Sequence, residues 1–189
     1  DLDNRLEHAY EQLAEVIGNN FPHLDGMLLN AAVLGQRTLL DHYHWDTWQK
    51  VMQINVNSQF LLCKHLLPLL RQAPADASIV FTTSSVGRQG RAYWGAYSVS
   101  KFAIEGLMQN LAEELENTSR IRVNAINPGA TRTGMRAAAY PAENPITVTP
   151  AQDIMPLYLY LMSPESEGVH GRSLDAQGEN AYMTTEFLD

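Results

Sequence analysis

A tyrosine and a lysine stand four residues apart, Tyr97 and Lys101, in the stretch from Ser84 to Lys101, SSVGRQGRAYWGAYSVSK. On an α-helix two such side chains lie on one face, a turn apart. A lysine ammonium beside a phenol favours the phenolate, so the spacing predicts a tyrosine drawn down from its ordinary pKa of about 10. A phenol tuned in that way is a general acid or base. Taken alone, the same pair reads as a packing tyrosine next to a solvated lysine.

The elements around the pair give it weight. Upstream, ASIVFTTS at 77–84 is a short apolar, β-branched run that reads as a buried strand. It ends at Ser84, and Gly87 and Gly90 keep the segment beyond it flexible. Downstream, residues 95–116 have helical period. A serine at the carboxyl end of a strand, facing a tyrosine on the next helix, sits where open α/β sheets place their ligands.

The rest of the chain alternates in the same way. Residues 4–20 put Leu6, Ala9, Tyr10, Leu13, Val16 and Ile17 on one stripe, an amphipathic helix ended by Gly18, Asn19, Asn20 and Pro22. LDGMLLNAAVLG then reads as a short buried strand running into a turn. One long helix is expected over about 44–70, with Pro68 near its end. IRVNAIN, 121–127, is another strand, closed by Pro128 and Gly129. Residues 130–148 read as irregular, Thr149-Pro150 as the start of a helix reaching about Met162, and 172–176 as a last strand before a polar tail. Four helices alternating with four strands predict an α/β fold, a doubly wound parallel sheet of Rossmann type, in one domain over 1–189.

Composition narrows the partners. The chain has 189 residues, a charged fraction of 18% and a formal charge of −8, which speaks against nucleic acid or an anionic membrane surface. Its one cysteine, Cys63, lies in an apolar helical run and predicts burial, with no internal disulfide. The apolar runs are too short for a membrane span, so a cytoplasmic protein is the simplest expectation. His42 and His44, flanked by Asp41 and Asp46, lack a further ligand at a recognisable spacing. No metal site is expected there.

Ser84-x-x-Gly87-x-x-Gly90 followed by Tyr97-x-x-x-Lys101, thirteen residues after the serine, resembles the active-site segment of the short-chain dehydrogenase/reductase family. SSVGRQGRA and DIMPLYLYLM are similar to its bacterial YciK-type branch. The resemblance implies an NAD(P)-dependent oxidoreductase interconverting an alcohol and a carbonyl. Tyr97 would be the acid or base, Lys101 would tune it and bond the nicotinamide ribose, and Ser84, with Ser85 as competitor, would hold the substrate oxygen. Asn55, rather than Asn57, would complete a proton relay to the lysine. Asn30, Ala31 and Ala32 would pass the adenosine and ribose, with Ala32 standing where the family has glycine. Pro128, Gly129, Thr131 and Thr133 would hold the nicotinamide carboxamide, and Asp1 would lie near the adenine.

The resemblance also implies a substrate loop at about 130–148, whose part from 134 to 148, with Met135, Tyr140 and Pro141, folds over the substrate. Homodimers or homotetramers would form through the helices near 44–70 and 95–116. No glycine-rich turn is found, and Asp1-Leu2 resembles the end of the family's third strand. A β-α-β-α-β stretch of roughly 60 residues is therefore expected to be missing by clipping. With it goes the residue that separates NAD from NADP. Two other readings remain open: a silent family member acting as a subunit or binding partner, and a reductase of acyl thioester or steroid-like substrates with a carrier partner.

Overall fold

Strand β2, Ala77–Thr82, is buried at every position, because helices cover both faces of the sheet it belongs to. The computed structural model describes residues 1–178 and residue 181. Its main sheet contains β1 (Gly26–Leu29), β2, β3 (Ile121–Asn127) and β6 (Ser173–Asp175), in that spatial order and all parallel. Successive strand residues point to opposite faces. Ile79 and Phe81 of β2 therefore pack with Val123 and Ala125 against one helical layer, while Val80 and Ile126 face the other.

The first layer holds α1 (Glu7–Asn20), α3 (Ser58–Leu70) and α4 (Gly95–Leu115). The second is α6 (Met155–Met162), which sets Leu157, Tyr158 and Leu161 on the sheet. Cys63 is buried in the first layer, and burial pushes its thiol up to about 12. Strands and helices thus alternate as the pattern of apolar runs predicts. Among the described residues β1 pairs on one side, with β2.

Three segments differ from expectation. The helix expected over 44–70 runs as α2 (Trp45–Met52), a π-helical turn at Gln53–Asn57 and then α3. A π turn admits one extra residue, which rotates the face that follows; here it buries Asn55 completely. The segment 130–148, expected to be irregular, contains β4 (Thr131–Arg132) and a helix, α5 (Gly134–Ala139). The Thr133 hydroxyl caps α5 by accepting the Arg136 N–H at 3.2 Å. Thr149-Pro150 forms β5, paired in parallel with β4. The expected helix begins directly after it, as a 3-10 turn at Ala151–Ile154 that runs into α6 and ends at Met162. Pro150 rather than Thr149 stands at its N-cap, because the Thr149 hydroxyl donates to Gln177 Oε1 at 2.6 Å. The expected tail lies mostly outside the described residues.

Candidate active site

The carboxyl ends of β1, β2 and β3 open onto one cavity of about 540 Å³. Asn30, Ala31 and Ala32 line it from the end of β1, and Thr82, Thr83 and Ser84 from the end of β2. Tyr97 and Lys101 enter from α4, and Pro128, Gly129, Thr131 and Thr133 from beyond β3. Met135, Arg136 and Ala139 of α5, with Met155 and Tyr158 of α6, complete the wall. Except for Asn55 and Asp1, every site residue expected from sequence therefore borders one space.

Tyr97 lies in the first turn of α4 and is 8% exposed. Burial is the largest influence on its phenol and pushes it up to about 12; a hydrogen bond with Ser84 opposes this, and nearby Tyr158 adds to it. Lys101, a turn further on, is 1% exposed, and burial lowers its ammonium to about 8. Its Nζ donates to the Thr82 carbonyl at 2.7 Å and lies 5.6 Å from the centroid of the Tyr97 ring. The lysine sits on the expected face, but the tyrosine is not drawn down. Desolvation disfavours whichever form is charged, so it raises a phenol and lowers an amine. At neutral pH the site holds a protonated phenol beside a charged ammonium.

Geometry separates the two serines. Ser84 borders the cavity and bonds Tyr97, whereas Ser85 is exposed and does not line it. Gly87 lets the segment after Ser84 lie against α4: a Cβ there would come within 2.8 Å of the Lys101 backbone. Arg88 then pins the segment from three nitrogens, to Glu105 on α4 at 3.2 Å and to Asp175 and Ser173 on β6 at 2.8 and 2.6 Å. The hydroxyl end of the site is thereby fixed to two rigid elements.

The two asparagines separate as clearly. Asn57 is exposed and bonds Gln53, while Asn55 is wholly buried. The Asn55 amide accepts the Val33 N–H at 2.8 Å and donates to the Val33 carbonyl and to Ser100 Oγ, each at 3.0 Å. It ties the loop after β1 to the residue next to Lys101, without lining the cavity itself. Asp1 stands away from the cavity, exposed, its carboxylate accepting the Asp3 N–H. Among the described residues no group of three His, Cys, Asp or Glu side chains could hold a metal ion.

Sequence reasoning missed three residues. Tyr158, within the apolar run of α6, borders the cavity; its hydroxyl lies 3.1 Å from that of Thr82, which donates to Asn30 Oδ1 at 2.9 Å. A tyrosine among leucines and methionines was the available signal, since a buried phenol needs a partner. Ser100 supports Asn55. Gln177 donates to the Pro128 and Ala130 carbonyls at 2.6 and 3.1 Å, clasping the loop that carries Gly129, whose φ is +70°.

Residues 1–144 match the family model of the short chain dehydrogenases. The chain is 54% identical over 177 residues to an uncharacterized oxidoreductase, YciK, of Escherichia coli (strain K12), covering 94% of this chain and 69% of that one. The chain belongs to the short chain dehydrogenase family. This family of oxidoreductases also includes a 3alpha-hydroxysteroid dehydrogenase of Mediterraneibacter gnavus, 33% identical over 160 residues, of whose length the chain spans 63%. A relative from Escherichia coli CFT073, solved in complex with NADPH, superposes with a TM-score of 0.90 at 52% identity, over 94% of this chain and 73% of that one. Among the described residues, no helix of this dehydrogenase is long and apolar enough to cross a membrane.

Proposed function

We propose that this dehydrogenase reduces a carbonyl compound with NADPH, and that Ser84, Tyr97 and Lys101 carry the reaction. The convergence of a serine hydroxyl, a protonated phenol and a buried ammonium on one cavity is the observation that supports this most directly. The choice of NADPH over NADH follows the relative from Escherichia coli CFT073. The donor set fits the nicotinamide end of such a cofactor. Lys101 has three N–H groups and one protein acceptor, the Thr82 carbonyl, while Thr83 Oγ1 is buried beside the cavity without a partner. A sugar diol suits both, and Pro128, Gly129, Thr131 and Thr133 offer backbone and hydroxyl groups to a carboxamide.

The bound nicotinamide supplies the hydride. Ser84 holds the carbonyl oxygen and stabilises the charge that builds on it. Tyr97, protonated at any ordinary pH, gives its proton to that oxygen. Lys101, charged below about 8, stabilises the phenolate left behind. Asn55 acts on the site through Val33 and Ser100, as a positioning residue. The segment 134–148, whose Met135, Arg136 and Ala139 roof the cavity, encloses the substrate as a lid. Apolar groups such as Leu34, Trp94 and Ile154 in the same wall suit a bulky, largely apolar ketone.

Titrating the protein with NADPH and NADH, then following cofactor oxidation with a panel of cyclic and long-chain ketones, tests the reading. NADPH is expected to bind more tightly and to be consumed. Ser84→Ala should lower the rate roughly 10²-fold, by the size of lost oxyanion contacts, and Ser85→Ala less than twofold. Absence of binding by either cofactor would refute the proposal.

Helices α3 and α4 present Phe60, Val99 and Phe102 to solvent, each more than two fifths exposed. We propose that these faces join copies of the chain into a dimer or tetramer. Sedimentation equilibrium should then give at least twice the chain mass, and Phe102→Glu should shift it to the monomer. A wild-type monomer at micromolar concentration would rule this out.

A further inference from the structure

We propose that Arg37 is the latch that holds the lid over the cavity, a positioning residue for substrate. The lid is carried on a fixed stalk. It enters through β4 and leaves through β5, which pair with each other, and Gln177 bonds both sides, at Thr131 Oγ1 and Thr149 Oγ1. Beyond the stalk the lid's polar contacts are largely internal: Arg136 forms a two-pronged pair with Glu143 and covers the Tyr140 ring at 3.9 Å.

Arg37 comes from the body, on the loop between the Asn30-Ala31-Ala32 segment and α2. Its Nη1 donates to the Ala139 carbonyl at 3.1 Å, one of the last carbonyls of α5, which have no partner within the helix. Its Nε donates to the Tyr93 carbonyl at 3.2 Å. The guanidinium carbon lies 4.1 Å from the Trp94 ring centroid and 5.3 Å from that of Tyr140. One planar cation therefore joins a body ring, a lid ring, a body carbonyl and a lid carbonyl. Trp94 and Ala139 both border the cavity, so the junction lies against its wall.

The body side of the junction is itself shaped for this. Tyr93 has φ +69°, a left-handed conformation that non-glycine side chains adopt at a cost, and Arg37 bonds its carbonyl. Trp94, next in the chain, leads into α4 and lies 5.7 Å from the Tyr97 ring. Tyr97, Trp94, Arg37, Tyr140 and Arg136 thus form a continuous column from the reacting phenol to the lid. Opening the lid must unstack Arg37 from Tyr140 and break its bond to Ala139. A guanidinium does both at once because its fork bonds in the plane while its face stacks; an ammonium cannot.

The inference rests on the proposed function only for what the lid encloses, and hydrogen exchange tests it without turnover. In the full protein with NADPH, Arg37→Gln should speed exchange of the amides in 134–148 roughly tenfold, the effect of a lost hydrogen bond and stacked cation, and leave β2 and β3 unchanged. Arg37→Lys should restore part of the protection. Tyr140→Leu, made on the lid's half-buried surface, should act alike, and the double variant should be no faster than either single one. With a turned-over ketone, KM should rise several-fold more than kcat changes. Unaltered lid exchange in Arg37→Gln, additive effects in the double variant, or loss of protection spread equally over β2 and β3 would overturn the latch.

Discussion

Replacing Tyr97 with phenylalanine will cost about 10²- to 10⁴-fold in turnover, the usual contribution of a positioned proton donor, while leaving the fold in place. The ring remains to pack against Trp94, 5.7 Å away, and the helix that carries it is held by Gly87 and Arg88 through other contacts. What disappears is the hydroxyl bonded to Ser84. One buried hydrogen bond is worth about 1 kcal/mol, so the melting temperature should move by no more than a few degrees. Because the phenol stays protonated up to about 12, the wild-type rate of carbonyl reduction should show no loss from its titration near neutrality. Cofactor oxidation by matched, folded samples decides the matter. A Tyr97→Phe variant within tenfold of wild type would remove Tyr97 from the chemistry.

Lys101→Met should separate activity from stability, lowering the first and raising the second. The methionine is close in volume and carries no charge to a site that is 1% exposed. Burial depresses the lysine from 10.5 to about 8. Between those values the unfolded chain binds a proton that the folded chain does not, so the wild-type contribution to stability rises with pH across that window. Below about pH 8 the folded protein carries the whole cost of the buried ammonium, on the order of 3 kcal/mol by the size of the shift. The Thr82 carbonyl, left without its donor, returns part of that. The variant is therefore expected to melt a few degrees higher at pH 7, with the gap closing by about pH 10.5. Wild-type turnover should decline above pH 8 as the ammonium is lost, and the variant should be slow throughout, without that step. Thermal melts and rate profiles at pH 6 to 10 test both halves. A variant less stable than wild type at pH 7, or equally active, would contradict this account of Lys101.

The amino-acid sequence alone was enough to locate the four strands of the main sheet and to put the tyrosine and the lysine on one helix face. IRVNAIN becomes β3 over the same seven residues, and ASIVFTTS becomes β2 over its first six, ending at Thr82 rather than Ser84, because unbroken β-branched runs suit a sheet covered on both faces. The four-residue interval puts Tyr97 and Lys101 on one side of α4 whatever surrounds them, since helical period is a local property. Tertiary structure decided the rest. Ser84 parts from Ser85, and Asn55 from Asn57, by which way each faces once a strand end or a π turn is folded, and neighbouring residues in sequence share no such information. α5 and the β4–β5 pair depend on Thr133, Thr149 and Gln177 finding partners, Gln177 reaching nearly thirty residues back to Thr149 and further still to Pro128. The direction of the Tyr97 shift was decided in the same way. Spacing shows that an ammonium is near a phenol; only the folded chain shows that both are out of water, where desolvation raises the phenol and lowers the amine.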